Sequence, residues 1–587
     1  MAEVKTPAGA AAAAATQPWG LTLSRRRIAA VIAAVMMAML LSAVDQTVVG
    51  TAMPRIIADL NGLQHYAWVA TAYLLASTAS MPIWGKLSDA FGRKRFFLIG
   101  MIVFVAGSAL CGQANGMTEL ILFRAFQGLG AGAMLPITQA IIGDIFPPAQ
   151  RAKWAGLLMS VFAVATIIGP LLGGWITDNY SWRWAFYVNL PVGIAAIVVT
   201  LVALPGHLAT HKHRIDYGGA ALLVAAAVPL LLGFSWAGSE YAWGSWQIVT
   251  LFAFAAVMSV VFVLRELRAA EPVINPRLFE NRVFSVSALA SALQSAAMFG
   301  AIMFLPLFVQ GVQGKSATNS GIILMPLMIG AMIMSIGAGQ ILARTGRYKV
   351  LVIVGFVTVT VGAWLLSRMG VDTGWSVLAR NMVIMGLGLG IAMSSFTVIV
   401  QNQYPSNRLG EVTAGLQFFR SIGSTIGMAV FGTILNNQFA SHMKENLPAQ
   451  LAQAMEKRGA SIDNPQVLLS EQARAALQHA FAQYGAQGTK LFGVFMDAVR
   501  QSLASAIDGL FLLAMFVGLA GLVVVLFLRE DPLRQTHFTA EQQEMLMAEA
   551  ESAAAGGFSP EGSSAEWGEE PVISCGPEEE AAADASA

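Results

Sequence analysis

The feature that most limits this chain is a series of apolar runs about twenty residues long. They recur from residue 28 to residue 528. A hydrocarbon core about 30 Å thick takes about 20 apolar residues per helical span. Inside lipid every backbone N–H and C=O has to be bonded within its own segment, so each run reads as a helix. Composition agrees: 56% of residues are hydrophobic and 12% charged, against about 25% charged in an ordinary soluble domain. A transmembrane barrel would show short alternating segments instead. Fourteen spans are predicted: 28–50, 66–84, 96–114, 118–140, 154–176, 184–204, 217–236, 246–266, 283–309, 317–342, 350–368, 376–400, 411–436 and 505–528.

The loops set the orientation. One set carries Arg25, Arg26, Arg27, Lys86, Arg93, Lys94, Arg95, Arg151, Lys153, Arg344, Arg347 and Lys349, among others. The short loops of the other set carry Arg55, Arg183, Lys315 and Arg368, with Arg380 near a helix start. Basic residues gather on the cytoplasmic side. Both termini of this multi-pass protein are therefore expected inside. The apolar run after Arg27 is too long for a cleaved signal and reads as the first span.

The chain repeats itself. Gly85, Asp89, Gly92 and Arg93 follow the second span; Gly339, Ala343, Gly346 and Arg347 follow the tenth, 254 residues later. The same shift carries Gly169 and Gly173 onto Gly423 and Gly427. Arg124, Gly128 and Gly130 resemble Arg380, Gly386 and Gly388 with a slip of a few residues. The expected organisation is a cytoplasmic tail (1–27), a six-helix bundle (28–204), an inserted helix pair (217–266) and a second six-helix bundle (283–528). Within the last lies an outer helical loop (437–504), where Leu468, Ala473, Ala476, Leu477 and Phe481 have helical spacing. A cytoplasmic tail (533–587) follows, with a candidate cap at Thr539 and Gln542 and an acidic, disordered end. Two parallel six-span halves around a midplane site are a transporter architecture.

Charges at membrane depth are costly and usually face a cavity or a partner. Asp45 in the first span, Arg124 in the fourth and Arg420 in the thirteenth fit that description. Glu411 stands at the cytoplasmic start of the thirteenth, where it is either a further proton or substrate group or, as is more usual at such a place, a solvated one. By these boundaries Asp45 is the only acidic residue deep within a span. A carboxylate there suits a proton carrier or a cation site; the alternative is a structural group held by hydroxyls and backbone. Arg124 and Arg420 could couple or gate, or could only hold helices together. Gly169, Pro170, Gly173 and Gly174 make a small-residue face that allows close helix approach. The segment Gly85–Arg95, GKLSDAFGRKR, has glycines for a tight turn and an aspartate able to hold a helix N-terminus.

This segment resembles motif A of the major facilitator superfamily. Asp45, Thr47, Val48, Val49, Ala52 and Pro54 resemble the first-span motif of its fourteen-span drug:proton antiporter branch. Arg124, Gln127, Gly128 and Gly130 resemble the fourth-span motif B. Gly156 with Gly169, Pro170, Gly173 and Gly174 resembles the fifth-span antiporter motif C. The resemblance covers residues 28–528. It implies an all-α membrane protein with the major facilitator fold, fourteen transmembrane helices in two parallel six-helix bundles plus an inserted pair. It further implies a gate at Gly85, Asp89, Gly92 and Arg93, and a part for Arg124 in proton transfer. Three positions depart from it: Ala90 stands where motif A usually has a basic residue, Gly50 where the first-span motif usually has Asn, and Ala165 where motif C has glycine.

The expected function is proton-coupled export of amphipathic, often cationic, small molecules by a monomer in the lipid bilayer. An exporter of a lipid, a siderophore or another metabolite is the alternative on the same fold. A non-transporting receptor or scaffold is the other, and it has little use for three buried charges. Neither an enzyme, a nucleic-acid partner nor a cofactor is expected. GxxxxGK[ST] is absent, and so are hydrolase signatures. His207, His211 and His213 read as a solvated loop rather than a metal site. Cys111 and Cys575 form no disulfide framework. The 28 methionines could line an adaptable cavity or simply fill helix interfaces.

Overall fold

The computed structural model describes residues 23–60, 66–206, 216–238, 240–313, 320–448, 478–479, 481 and 485–534. The three loop histidines, Leu468, Ala473, Ala476, Leu477, Thr539, Gln542, Cys575 and the acidic end lie outside the described residues. Each of the fourteen predicted spans is a helix, and no strand occurs among the described residues. They are α1 (Arg25–Leu60), α2 (Tyr66–Phe91), α3 (Arg93–Gln113), α4 (Met117–Ile145), α5 (Pro148–Asn179), α6 (Trp184–Ala203), α7 (Tyr217–Trp236) and α8 (Trp246–Glu266). They continue with α9 (Arg282–Leu307), α10 (Ser320–Thr345), α11 (Lys349–Leu366), α12 (Trp375–Gln401), α13 (Leu409–Asn446) and α14 (Gly485–Leu526). Thirteen are long and apolar enough to cross a membrane. The fourteenth, α2, has buried Ser77, Thr78 and Ser80 where others carry larger apolar groups. Ser77 and Ser80 turn their hydroxyls onto their own backbone, and a Cβ on Gly132 of α4 would collide with Ser80.

Glycine sets the helix contacts, and it does so twice. A Cβ on Gly128 would strike the Tyr73 carbonyl of α2, and one on Gly130 would strike the Phe104 amide of α3. On α12, Gly386 abuts Leu327 of α10, and Gly388 abuts Val359 of α11. Aligning these glycine pairs puts Met382, not Arg380, opposite Arg124. The slip seen in the sequence therefore leaves the second half without a buried charge at that site. Gly92 (φ 101°) ends α2 and Gly346 (φ 65°) ends α10, so both copies of the motif A turn use the left-handed region that favours glycine. The same partners meet in each half: α1 with α5 and α6, and α9 with α13 and α14. The halves meet through α2 with α13 and α5 with α10; α7 and α8 pair with each other, and α7 lies against α2 and α13. Asp216 caps α7 and also accepts from Arg265 of α8, which holds its carboxyl below the usual range.

The helices of the thirteenth and fourteenth spans run on into the segment 437–504 that was expected to be helical. α13 runs on to Asn446, and α14 already begins at Gly485. Phe439, Met443 and Leu447 share a core with Phe495, Val499 and Leu503, and Asn446 donates to the Ser502 hydroxyl at 3.0 Å. An apolar run stops where lipid stops. These helices continue because they bury each other beyond it. The longer α14 also places Asp508 well inside a helix, with one carboxylate oxygen buried and unbonded among the described residues. Asp45 is thus not alone.

Candidate functional site

Asp45 is 0% and Arg124 2% exposed. Arg124 Nη1 donates to Asp45 Oδ2 at 2.6 Å and to Gln127 Oε1 at 2.7 Å. The other carboxylate oxygen accepts from Gln127 Nε2 at 2.9 Å and Asn189 Nδ2 at 2.7 Å. Both amides also donate to Ser108 Oγ, at 3.0 and 2.9 Å. Ser108 in turn donates to the Phe186 carbonyl at 3.1 Å. Arg124 Nε reaches the Val69 carbonyl at 3.3 Å, and its guanidinium lies 4.2 Å from the centre of the Tyr73 ring. Five helices, α1, α2, α3, α4 and α6, thus close around one ion pair. A buried pair persists when its remaining lone pairs and protons are bonded, and here both carboxylate oxygens and the Nε and Nη1 of Arg124 have partners.

Sequence reasoning placed Asp45 and Arg124 as separate charges; the structure brings them together. It missed Tyr73, Ser108 and Asn189. The available signal was polar side chains inside apolar runs, which are as informative as charges at that depth.

The motif A turn makes the second cluster. Asp89 accepts from the amide of Gly410 at 3.0 Å and that of Glu411 at 2.6 Å, the first turn of α13. A carboxylate there meets unpaired N–H groups and the positive end of the helix dipole. Arg93 pairs with Asp89 and with Asp144 (2.9 Å), and donates to the Ser406 carbonyl at 3.1 Å. A Cβ on Gly85 would collide with Ala414 and the Gly410 carbonyl. Glu411, 3% exposed, belongs here and not with Asp45. It faces Lys86 at 3.8 Å and Arg408 at 3.5 Å, and accepts from the Asn275 amide at 3.1 Å. Deeper on the same side, Gln401 and Gln417 bridge from the second half to Gln139 of α4, each at 3.2 Å. Among the described residues, the hydrogen bonds that cross between the halves gather at this end.

The Major Facilitator Superfamily profile matches residues 35–428. This chain belongs to that superfamily. The major facilitator chain is 39% identical over 525 residues to the multidrug transporter protein MdtP of Bacillus subtilis (strain 168), covering 87% of this chain and 95% of the relative. It is 36% identical over 506 residues to multidrug resistance protein 3 of the same organism, covering 86% and 96%. Among solved structures it resembles the proton:xylose symporter XylE bound to 6-bromo-6-deoxy-D-glucose, with a TM-score of 0.54 and 13% identity, covering 89% of this chain and 100% of that one. That similarity is one of fold.

The other predicted residues of this major facilitator chain lie as follows. Gly169 and Gly173 of α5 press on the hydroxyls of Thr47 and Thr51 of α1, and Thr47 also donates to the Ala165 carbonyl at 3.3 Å. Motif C thus backs the helix that carries Asp45, on the face opposite the carboxylate. Pro170 lies within α5, and Gly174 has open space beside it. Ala90, the departure in motif A, is buried. Arg420 joins neither cluster. It reaches Gln417 Oε1 and the Met393 carbonyl of α12, both at 3.4 Å.

The Asp89 contact predicts a specific defect. Asp89→Ala leaves the first amides of α13 without their acceptor and should favour opening at the motif A end by about 1–3 kcal/mol, a typical coupling energy. Amide hydrogen exchange over 409–414 should speed up, with exchange in α4 unchanged. Equal exchange in both proteins would mean the carboxylate does not hold this end shut.

Proposed function

We propose that this chain is a proton-driven exporter of amphipathic small molecules, working by alternating access as a monomer in the cytoplasmic membrane, with no cofactor. The observation that carries the reading is the enclosed Asp45–Arg124 pair. A proton arriving on Asp45 removes the negative charge that balances Arg124. Arg124 then keeps neutral partners without a counter-charge: the Val69 carbonyl, Gln127, the Tyr73 ring and the uncharged carboxyl oxygen of Asp45. The balance between the arrangements of α1 and α4 shifts, and these helices move with their bundle. Enclosure also takes Asp45 away from direct contact with cargo, so its task in this scheme is the proton. The bundles 28–204 and 283–528 rock about the midplane, and both termini are cytoplasmic. With the motif A end closed by Asp89, Arg93 and the Gln139 bridges, the state described is the one that opens outward. The names of the bacterial relatives, a multidrug transporter and a multidrug resistance protein, support efflux as the direction.

Purified protein in liposomes, given an imposed pH gradient and a panel of cationic, neutral and anionic lipophilic dyes, tests the reading. At least one dye should move against its gradient, and collapsing the pH difference with nigericin should stop it. Dye movement that survives the collapse would remove the proton from the mechanism.

A further inference from the structure

A guanidinium at membrane depth needs an anion or several good acceptors. Arg93 and Arg124 each have a carboxylate. Arg420 does not. It is 8% exposed, and no carboxylate pairs with it among the described residues. Its two side-chain contacts are both long, at 3.4 Å, to Gln417 Oε1 and the Met393 carbonyl. Its Nε is buried with no partner. The Nε–Nη edge, the part of arginine that grips a carboxylate with two hydrogen bonds, is thus close to unused.

Its place in the fold gives that edge a use. Arg420 lies about 16 Å along α13 from its start at Leu409, at 1.5 Å per residue, near the middle of a core about 30 Å thick. One turn back towards motif A, Gln417 bridges to Gln139 of the first half. Arg420 therefore stands just past the closed end, on a helix through which the two halves meet. Gln294 of α9 reaches the neighbouring turn of α12. It donates to the Leu389 carbonyl, one turn of α12 from Met393, and its own Oε1 has no partner. The repeat does not require a charge here, because aligning Gly169 with Gly423 puts Thr166 opposite Arg420.

We infer that Arg420 anchors the cargo, and that the cargo class is an amphipathic molecule with a negatively charged group such as a carboxylate. This rests on the export reading above and replaces the often cationic cargo expected from the sequence. The acidic group takes the Nε–Nη edge of Arg420, and the amide of Gln294 has an oxygen free for a donor on the same molecule. Asp45 does not oppose an anion, because its charge is neutralised by Arg124 inside the first bundle.

Three probes of one scaffold test this: pyrenebutyric acid, its neutral carboxamide and pyrenebutylamine. Binding is measured on the full chain in lipid nanodiscs, with empty nanodiscs subtracted. The wild-type protein should bind the acid at least about tenfold more tightly than the amide, a difference of about 1.4 kcal/mol. Arg420→Gln should abolish that preference with little change for the amide, and Arg420→Lys should keep part of it. Equal binding of acid and amide by the wild type overturns the inference. So does an equal loss of all three probes in Arg420→Gln, which would mark a structural role. Binding needs no gradient, so the preference can hold even if nigericin leaves transport untouched. In that case the proton reading fails and this one stands.

Discussion

Asp45→Asn is expected to fold, reach the membrane and lose gradient-driven export. Asparagine mimics the protonated carboxyl at nearly the same volume, and a proton carrier has to tolerate that form in every cycle. The environment can adapt. The amide oxygen of the substituted side chain can still accept from Arg124, and turning the Asn189 amide presents an oxygen to the new NH2 group. Those are the positions where the carboxylate now accepts at 2.6 and 2.7 Å. The Gln127 amide, which donates at 2.9 Å to the same carboxylate oxygen as Asn189, has to draw back. What cannot be replaced is the change of charge. The pH gradient should cease to bias the cycle, removing a coupling of about 1–3 kcal/mol, or about 5–150-fold. Exchange of cargo at equal pH on both sides should persist. The measurement compares dye movement with and without an imposed gradient, at equal amounts of wild-type and variant protein. Gradient-dependent export equal to wild type would remove Asp45 from coupling.

Arg124→Gln is expected to damage the fold itself. It leaves the Asp45 carboxylate enclosed without its counter-charge, which costs about 3–5 kcal/mol when one partner of a buried pair is deleted. It also removes the contact on the Tyr73 ring at 4.2 Å, worth about 2 kcal/mol when desolvated. A large drop in melting temperature in detergent should follow. Adding Asp45→Asn to Arg124→Gln removes the stranded charge and should recover most of the drop without restoring gradient-driven export. If the double variant melts no higher than Arg124→Gln alone, the pairing is not what Arg124 contributes to stability. The two experiments separate the roles: one removes the carboxylate charge and leaves the fold, the other strands that charge and loses the fold as well.

The sequence by itself determined the helices, because each span has to satisfy its own backbone in lipid and so writes its presence as a long apolar run. It determined the repeat too. Gly128 and Gly130, like Gly386 and Gly388, sit where two backbones come too close for a Cβ, and that constraint is local enough to be read residue by residue. Asp45 and Arg124 were legible as charges that lipid does not accept alone. What only the tertiary structure decided was partnership. That Asp45 faces Arg124, Gln127 and Asn189 depends on how five helices are turned about their axes, and apolar periodicity is nearly silent on rotation when a helix meets lipid on one side and protein on the other. Glu411 shows the same limit. Its place at a helix start suggested a solvated group, but the approach of α2 makes it part of the closed end with Lys86 and Asp89. How α13 and α14 pack on each other past the predicted spans was also out of reach, because there the helices are held by each other rather than by the bilayer. Arg420 is the plainest case: its charge was visible in the chain, and its want of a carboxylate could be learned only from its neighbours.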